Sequence, residues 1–101
     1  MNRDEILTYL KSIKPMLAKQ YLISDIALYG SHAIGCAGET SDIDILITFK
    51  GHPDFLMKEN AREIIKKLIR EQFRRNADVL DADTVFIPII KKMITQDAIH
   101  V

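Results

Sequence analysis

Asp42 and Asp44 stand two residues apart in the β-branched run Asp42-Ile43-Asp44-Ile45-Leu46-Ile47-Thr48-Phe49. A strand rises about 3.3 Å per residue and alternates its side chains, so both carboxylates leave one face with Leu46, while Ile43, Ile45 and Ile47 leave the other. Two carboxylates on one face can converge on a cation. Hard oxygen ligands suit Mg²⁺, which takes one or two carboxylates and completes its shell with substrate phosphates. A solvated edge strand would carry the same pair without any function. Aspartate is depleted in strands, however, and like charges on one face of an Ile-rich strand repel unless something positive lies between them.

A second feature lies upstream of Asp42, with ten residues between, where Gly30-Ser31 ends the apolar run Ile23 to Tyr29. A glycine turn after a strand lets backbone N–H groups approach a phosphate, and the Ser31 hydroxyl adds a donor. Alone, a Gly-Ser pair is an ordinary turn, and the chain has no Walker-type Gly-Lys-Ser/Thr motif. His32 follows directly and can donate to phosphate; an exposed loop histidine without a role is the plain alternative. Cys36, His52 and His100 are too scattered to argue for zinc.

The surrounding pattern supplies elements to hold these groups. Asn2 followed by Glu5 reads as a capping box, and Ile6, Leu7, Leu10 and Ile13 recur at helical spacing, so the chain opens with a helix that Pro15 interrupts. A further helical turn or two precedes the strand Ile23 to Tyr29, and residues 30–41 form a turn with room for one helical turn. After the strand 42–49, Leu56, Ala61, Ile64, Ile65, Leu68 and Ile69 mark a long amphipathic helix reaching about Gln72. Ala77 to Leu80 is a short strand, Asp81 to Asp83 a turn, and Pro88 the first residue of a last helix through Ile94. Phe86, Ile87, Ile90 and Ile94 form an apolar stripe that packs on the sheet or, incompletely covered, seats a partner. The class is α/β or α+β, with strand directions open.

With 101 residues, 48% hydrophobic and 28% charged, the expectation is one domain spanning 1–101, too small for a deep enclosed pocket. Fourteen basic and fourteen acidic residues cancel, which argues against a nucleic-acid surface. Locally the charge is uneven. Tyr21 to Phe49 has no Lys or Arg but carries Asp25, Glu39, Asp42 and Asp44, whereas Lys58 to Arg75 carries seven basic residues against three acidic. The basic stretch reads as a solvated helix face. A single cysteine, no signal-like start and no apolar run near ~20 residues lead to the expectation of a cytoplasmic protein off the membrane.

Taken together, Leu28-Tyr29-Gly30-Ser31-His32-Ala33-Ile34-Gly35 through Ser41-Asp42-Ile43-Asp44-Ile45-Leu46-Ile47 resembles the signature of the DNA polymerase β-like nucleotidyltransferase superfamily. Length and terminal helix resemble its minimal nucleotidyltransferase family along nearly the whole chain. The resemblance implies the nucleotidyltransferase fold, a small mixed sheet flanked by helices. It implies a third carboxylate on a later strand, and Asn76-Ala77-Asp78-Val79-Leu80 matches that place. Asp81 and Asp83 are its rivals. Asp42, Asp44 and Asp78 would then be catalytic and hold two Mg²⁺ ions, with Gly30, Ser31 and His32 on the nucleotide and ATP as donor. The sequence departs from the family where a basic residue commonly follows Ser-x-Ala; Ile34 stands there, and Arg74 and Arg75 are candidate substitutes.

Two readings follow. One is an enzyme that transfers AMP to a hydroxyl, and the resemblance implies a tyrosine of a HEPN-domain toxin, which makes the chain an antitoxin. The other is a binding module that neutralises its partner by complex formation alone, for which Ile34 is the best support.

Overall fold

The computed structural model describes every residue except Glu39, whose place in the acidic stretch lies outside the described residues. Among the described residues nine elements follow one another: helix α1 (Arg3–Tyr21), strand β1 (Ile23–Tyr29), short helix α2 (Gly30–Ile34), strand β2 (Ile43–Phe49), helix α3 (Phe55–Phe73), strand β3 (Ala77–Asp81), a 3-10 turn (Ala82–Thr84), helix α4 (Pro88–Gln96) and strand β4 (Ile99–His100). The sheet order is β3-β2-β1-β4. β1 runs antiparallel to both neighbours, whereas β2 and β3, joined through α3, are parallel. The directions that the sequence left open thus resolve as a mixed sheet.

Alternation along the strands divides the sheet as the sequence implied. Ile26 and Leu28 of β1 pair with Ile47 and Ile45 of β2, and with Ile43 and Val79 they enter a core closed by Ile6, Leu10 and Leu17 of α1 and Ala61, Ile65 and Ile69 of α3. Each fully buried Ile or Leu contributes roughly 1.5–3 kcal/mol, so these two helices are fixed to one face. The opposite face carries Tyr29, Asp44 and Asp78, then Ala27, Leu46 and Leu80 in the next row.

Asn2 caps α1, its side chain accepting from the Glu5 N–H at 2.9 Å, and Asp54 caps α3 by accepting from Met57 N–H at 2.9 Å. Pro15 does not end α1, contrary to the expectation; the helix runs through it to Tyr21. Leu10 and Leu17, buried on either side of it, hold both halves against the sheet, and Pro15 itself is exposed, so the carbonyl it leaves without an N–H partner is close to water.

Sequence reading did not foresee β4. Two residues are too short for any periodicity, and what defines the strand is pairing with Ala27 and Leu28 and the Val101 N–H donated to Ile26 O. The apolar stripe of α4 is only partly covered: no residue of the helix is buried, and Phe86 and Met93 are 84% and 69% exposed. Among the described residues no helix is long and apolar enough to cross a membrane.

Candidate active site

Strand register brings Tyr29, Asp44 and Asp78 side by side on the open face, because Tyr29 pairs with Asp44 across the antiparallel ladder and Asp44 with Asp78 across the parallel one. Asp42 lies exposed just before β2 begins, on the same side. The three carboxylates share one field. Burial holds the Asp44 carboxyl above the ordinary range, Asp78 and Asp42 push it further, and His32 pulls it back. Burial, then Asp44 and Asp78, push the Tyr29 hydroxyl up to about 12.

Gly30 turns the chain from β1 into α2 at φ +72, where a side chain is disfavoured. It also touches the carboxylates: a Cβ there would stand 2.2 Å from Asp44 Oδ2 and 3.0 Å from its Cγ. Glycine is therefore required twice, by backbone conformation and by the approach of Asp44. Ser31 sits half-buried in the first turn of α2, whose start receives no side-chain cap.

His32 is buried rather than exposed on the loop, with Nε2 3.2 Å from Ser41 O. It braces the segment leading to Asp42 and lowers the Asp44 carboxyl. Arg75 Nη1 reaches the same segment, donating to Gly38 O at 3.4 Å, and Arg3 Nη1 donates to Ala33 O at 2.9 Å. Arg3, His32 and Arg75 line a cavity of about 360 Å³ beside α2. Arg74 instead closes α3 in a left-handed conformation.

The rivals of Asp78 are elsewhere. Asp81 is three positions on, so the pleat sends it to the other face, fully buried, with Oδ2 3.0 Å from Lys58 Nζ of α3 and Oδ1 accepting from Asp83 N–H. Asp83 is exposed in the 3-10 turn. Two participants escaped sequence reading. Only the register with Asp44 reveals the neighbours of Tyr29, and Arg3 is brought in by α1 from the far end of the chain.

Among the described residues no three of His, Cys, Asp and Glu converge tightly enough to hold an ion unaided. The donor set still fits one kind of cation. Asp42 and Asp78 raise the proton affinity of Asp44, which favours positive charge beside it, and Mg²⁺ expects only one or two carboxylates if phosphate oxygens supply the rest.

Residues 4–100 match the family model for the nucleotidyltransferase domain. Over 98 residues the chain is 33% identical to a Methanocaldococcus jannaschii protein provisionally named a protein adenylyltransferase, covering 97% of this chain and 96% of that one. A solved structure provisionally described as a minimal nucleotidyltransferase superposes with TM-score 0.74 at 19% identity, covering 98% of this chain and 95% of that one. A second, the tri-AMPylated HEPN toxin of Shewanella oneidensis in complex with its MNT antitoxin, gives TM-score 0.55 at 17% identity, over 98% of this chain and 67% of that one. These two likenesses establish the fold.

Proposed function

Because the chain belongs to the nucleotidyltransferase domain family, we propose that it is an Mg²⁺-dependent adenylyltransferase, moving AMP from ATP to a tyrosine of a cytoplasmic HEPN-domain toxin and acting as its antitoxin. The observation that carries this reading is the row Tyr29–Asp44–Asp78 with Gly30 pressed against Asp44. Further support comes from the relative named as a protein adenylyltransferase and from the AMPylated toxin complexed with a protein of the same fold.

Asp42, Asp44 and Asp78 would hold the ions, which when bound offset the phosphate charge and stabilise the entering and leaving oxygens. The chain's own groups do the rest. Gly30 keeps a side chain out of the space beside Asp44, so backbone N–H groups can approach the triphosphate, and the Ser31 hydroxyl donates to it. Asp78, exposed on the edge strand, is open to a partner and accepts the proton of the attacking hydroxyl. The acceptor oxygen bonds to the α-phosphorus as the bond to the β-phosphate bridge breaks and pyrophosphate leaves.

Incubation with the partner toxin, ATP and Mg²⁺, followed by intact-mass measurement of both proteins, should show AMP increments on the toxin only. EDTA should prevent them. The uncovered face of α4 and Ile34, 55% exposed where the family carries a basic residue, favour a second reading as a non-catalytic binding module. That reading stands if the toxin is neutralised at unchanged mass and the chain fails to bind Mg²⁺-ATP.

The loop makes an ordering prediction. Gly30→Val should abolish nucleotide binding, since the side chain meets Asp44 in a backbone region it disfavours. Ser31→Ala should lose only about 0.5–3 kcal/mol of affinity, according to how well water replaces the hydroxyl. Calorimetric titration with Mg²⁺-ATP tests the order, and equal affinities in folded variants would remove the loop from the site.

A further inference from the structure

The cavity of about 360 Å³ beside α2 has Arg3, His32 and Arg75 on its walls and small residues, Gly35, Ala37 and Gly38, along its rim. Among the described residues no acidic side chain lines it, and Gly30, Ser31, Asp42, Asp44 and Asp78 are not part of it. It is a concavity of its own. Arg3 stands in the first turn of α1 and Arg75 just beyond α3, so both charges arrive from the helices that cover the core, whereas the carboxylate row lies on the open face of the sheet.

The two guanidinium groups have donors to spare. Arg3 Nη1 donates to Ala33 O at 2.9 Å, and Arg75 Nη1 donates to Gly38 O at 3.4 Å and to Ser41 O at 3.5 Å. Among the described residues each thus commits one nitrogen, to neutral carbonyls, and the Arg75 contacts are long. Neither arginine pairs with a carboxylate among those residues. Two like charges in one cavity without an acid repel each other, and an oxyanion between them turns that repulsion into attraction. Guanidinium forks match the oxygens of phosphate. His32 is a wall here and not a ligand, because a carbonyl only accepts and Nε2–H is therefore committed to Ser41 O. We propose that this cavity is a binding site for inorganic phosphate, separate from the site of transfer. Occupied, it ties the start of α1 and the end of α3 to the segment between α2 and Asp42. The assignment does not depend on the transfer reading.

Calorimetry in metal-stripped buffer isolates the site, since without a cation the carboxylate row repels phosphate. Inorganic phosphate should bind saturably and raise the melting temperature, because only the native state holds both arginines together, and chloride at matched ionic strength should do neither. Arg3→Gln and Arg75→Gln should each weaken phosphate by roughly tenfold to a hundredfold. Arg3→Lys and Arg75→Lys, which keep the charge and lose the fork, should weaken it less. Arg74→Gln removes the same charge at the neighbouring α3 cap, and Ser31→Ala alters the nucleotide loop; both should leave phosphate affinity unchanged. A parent protein without saturable phosphate binding overturns the proposal. So does an equal loss in Arg74→Gln, which would make the attraction a general one of the α3 end, or a loss in Ser31→Ala, which would move the ion to the nucleotide loop.

Discussion

Asp44→Asn should abolish adenylyl transfer and raise the melting temperature of the protein measured without metal. Both effects have one cause. Asp44 sits between Asp78 across the ladder and Asp42 along the chain, and its carboxyl is held above its ordinary range by burial and by these two charges. A raised carboxylate means that the native state binds the proton more tightly than the unfolded chain, so stability falls as pH rises from the unfolded value through the folded one. At neutral pH the ionised group is a strain on the fold, and an amide of the same shape relieves it. On the proposed mechanism transfer uses that charge to hold the cation, so rate and stability should move in opposite directions, and Asp42→Asn should follow in weaker form because Asp42 is exposed. Intact-mass assay of the toxin and metal-free melts across pH 4 to 8, a range set by the ordinary carboxylate value of about 4, measure the two effects. An active Asp42→Asn/Asp44→Asn protein, or an unchanged melt in Asp44→Asn, would contradict the argument.

Lys58→Ala should remove about 3–5 kcal/mol of stability, a large share of the ~5–15 kcal/mol typical of a domain, because it leaves the buried Asp81 charge without its partner. Asp81→Ala should cost less, roughly 1–3 kcal/mol, since the Lys58 side chain is a quarter exposed and its ammonium can turn to water. Lys58→Met combined with Asp81→Leu should recover most of the loss. Chemical denaturation of the four proteins gives these numbers. Asp78→Ala is the contrast: on the exposed edge strand it should leave stability nearly intact while transfer slows strongly. If Asp81→Ala stops transfer in folded protein and Asp78→Ala does not, the roles of the two faces are exchanged.

How much of this was legible in the sequence depends on the range of the interaction. Period-two alternation placed Ile43, Ile45 and Ile47 opposite Asp42 and Asp44, and the structure follows it residue by residue. The same parity separates Asp78 from Asp81, but only once the bounds of β3 are known, which is why Asp81 and Asp83 remained rivals. Pro15 misled because a local rule about lost hydrogen bonds was outweighed by the burial of Leu10 and Leu17. β4, the place of Tyr29 beside two carboxylates, the brace of His32 on Ser41 and the reach of Arg3 to Ala33 all depend on pairings between distant segments, for which a single chain carries no periodic signal. The residue types were readable; the register was not.

The Lys58–Asp81 pair has an effect on the face it does not touch. A strand that slips by one residue turns every side chain over, and β3 is short and at the edge of the sheet, with little apolar surface of its own to resist slipping. The buried pair makes a slip expensive, because moving Asp81 outward would strand Lys58 and put Leu80 or Ala82 in its partner's place. The ion pair thus works as an alignment pin: fastened to α3 on the covered side, it fixes where β3 stops against β2, and three residues back it fixes Asp78 opposite Asp44.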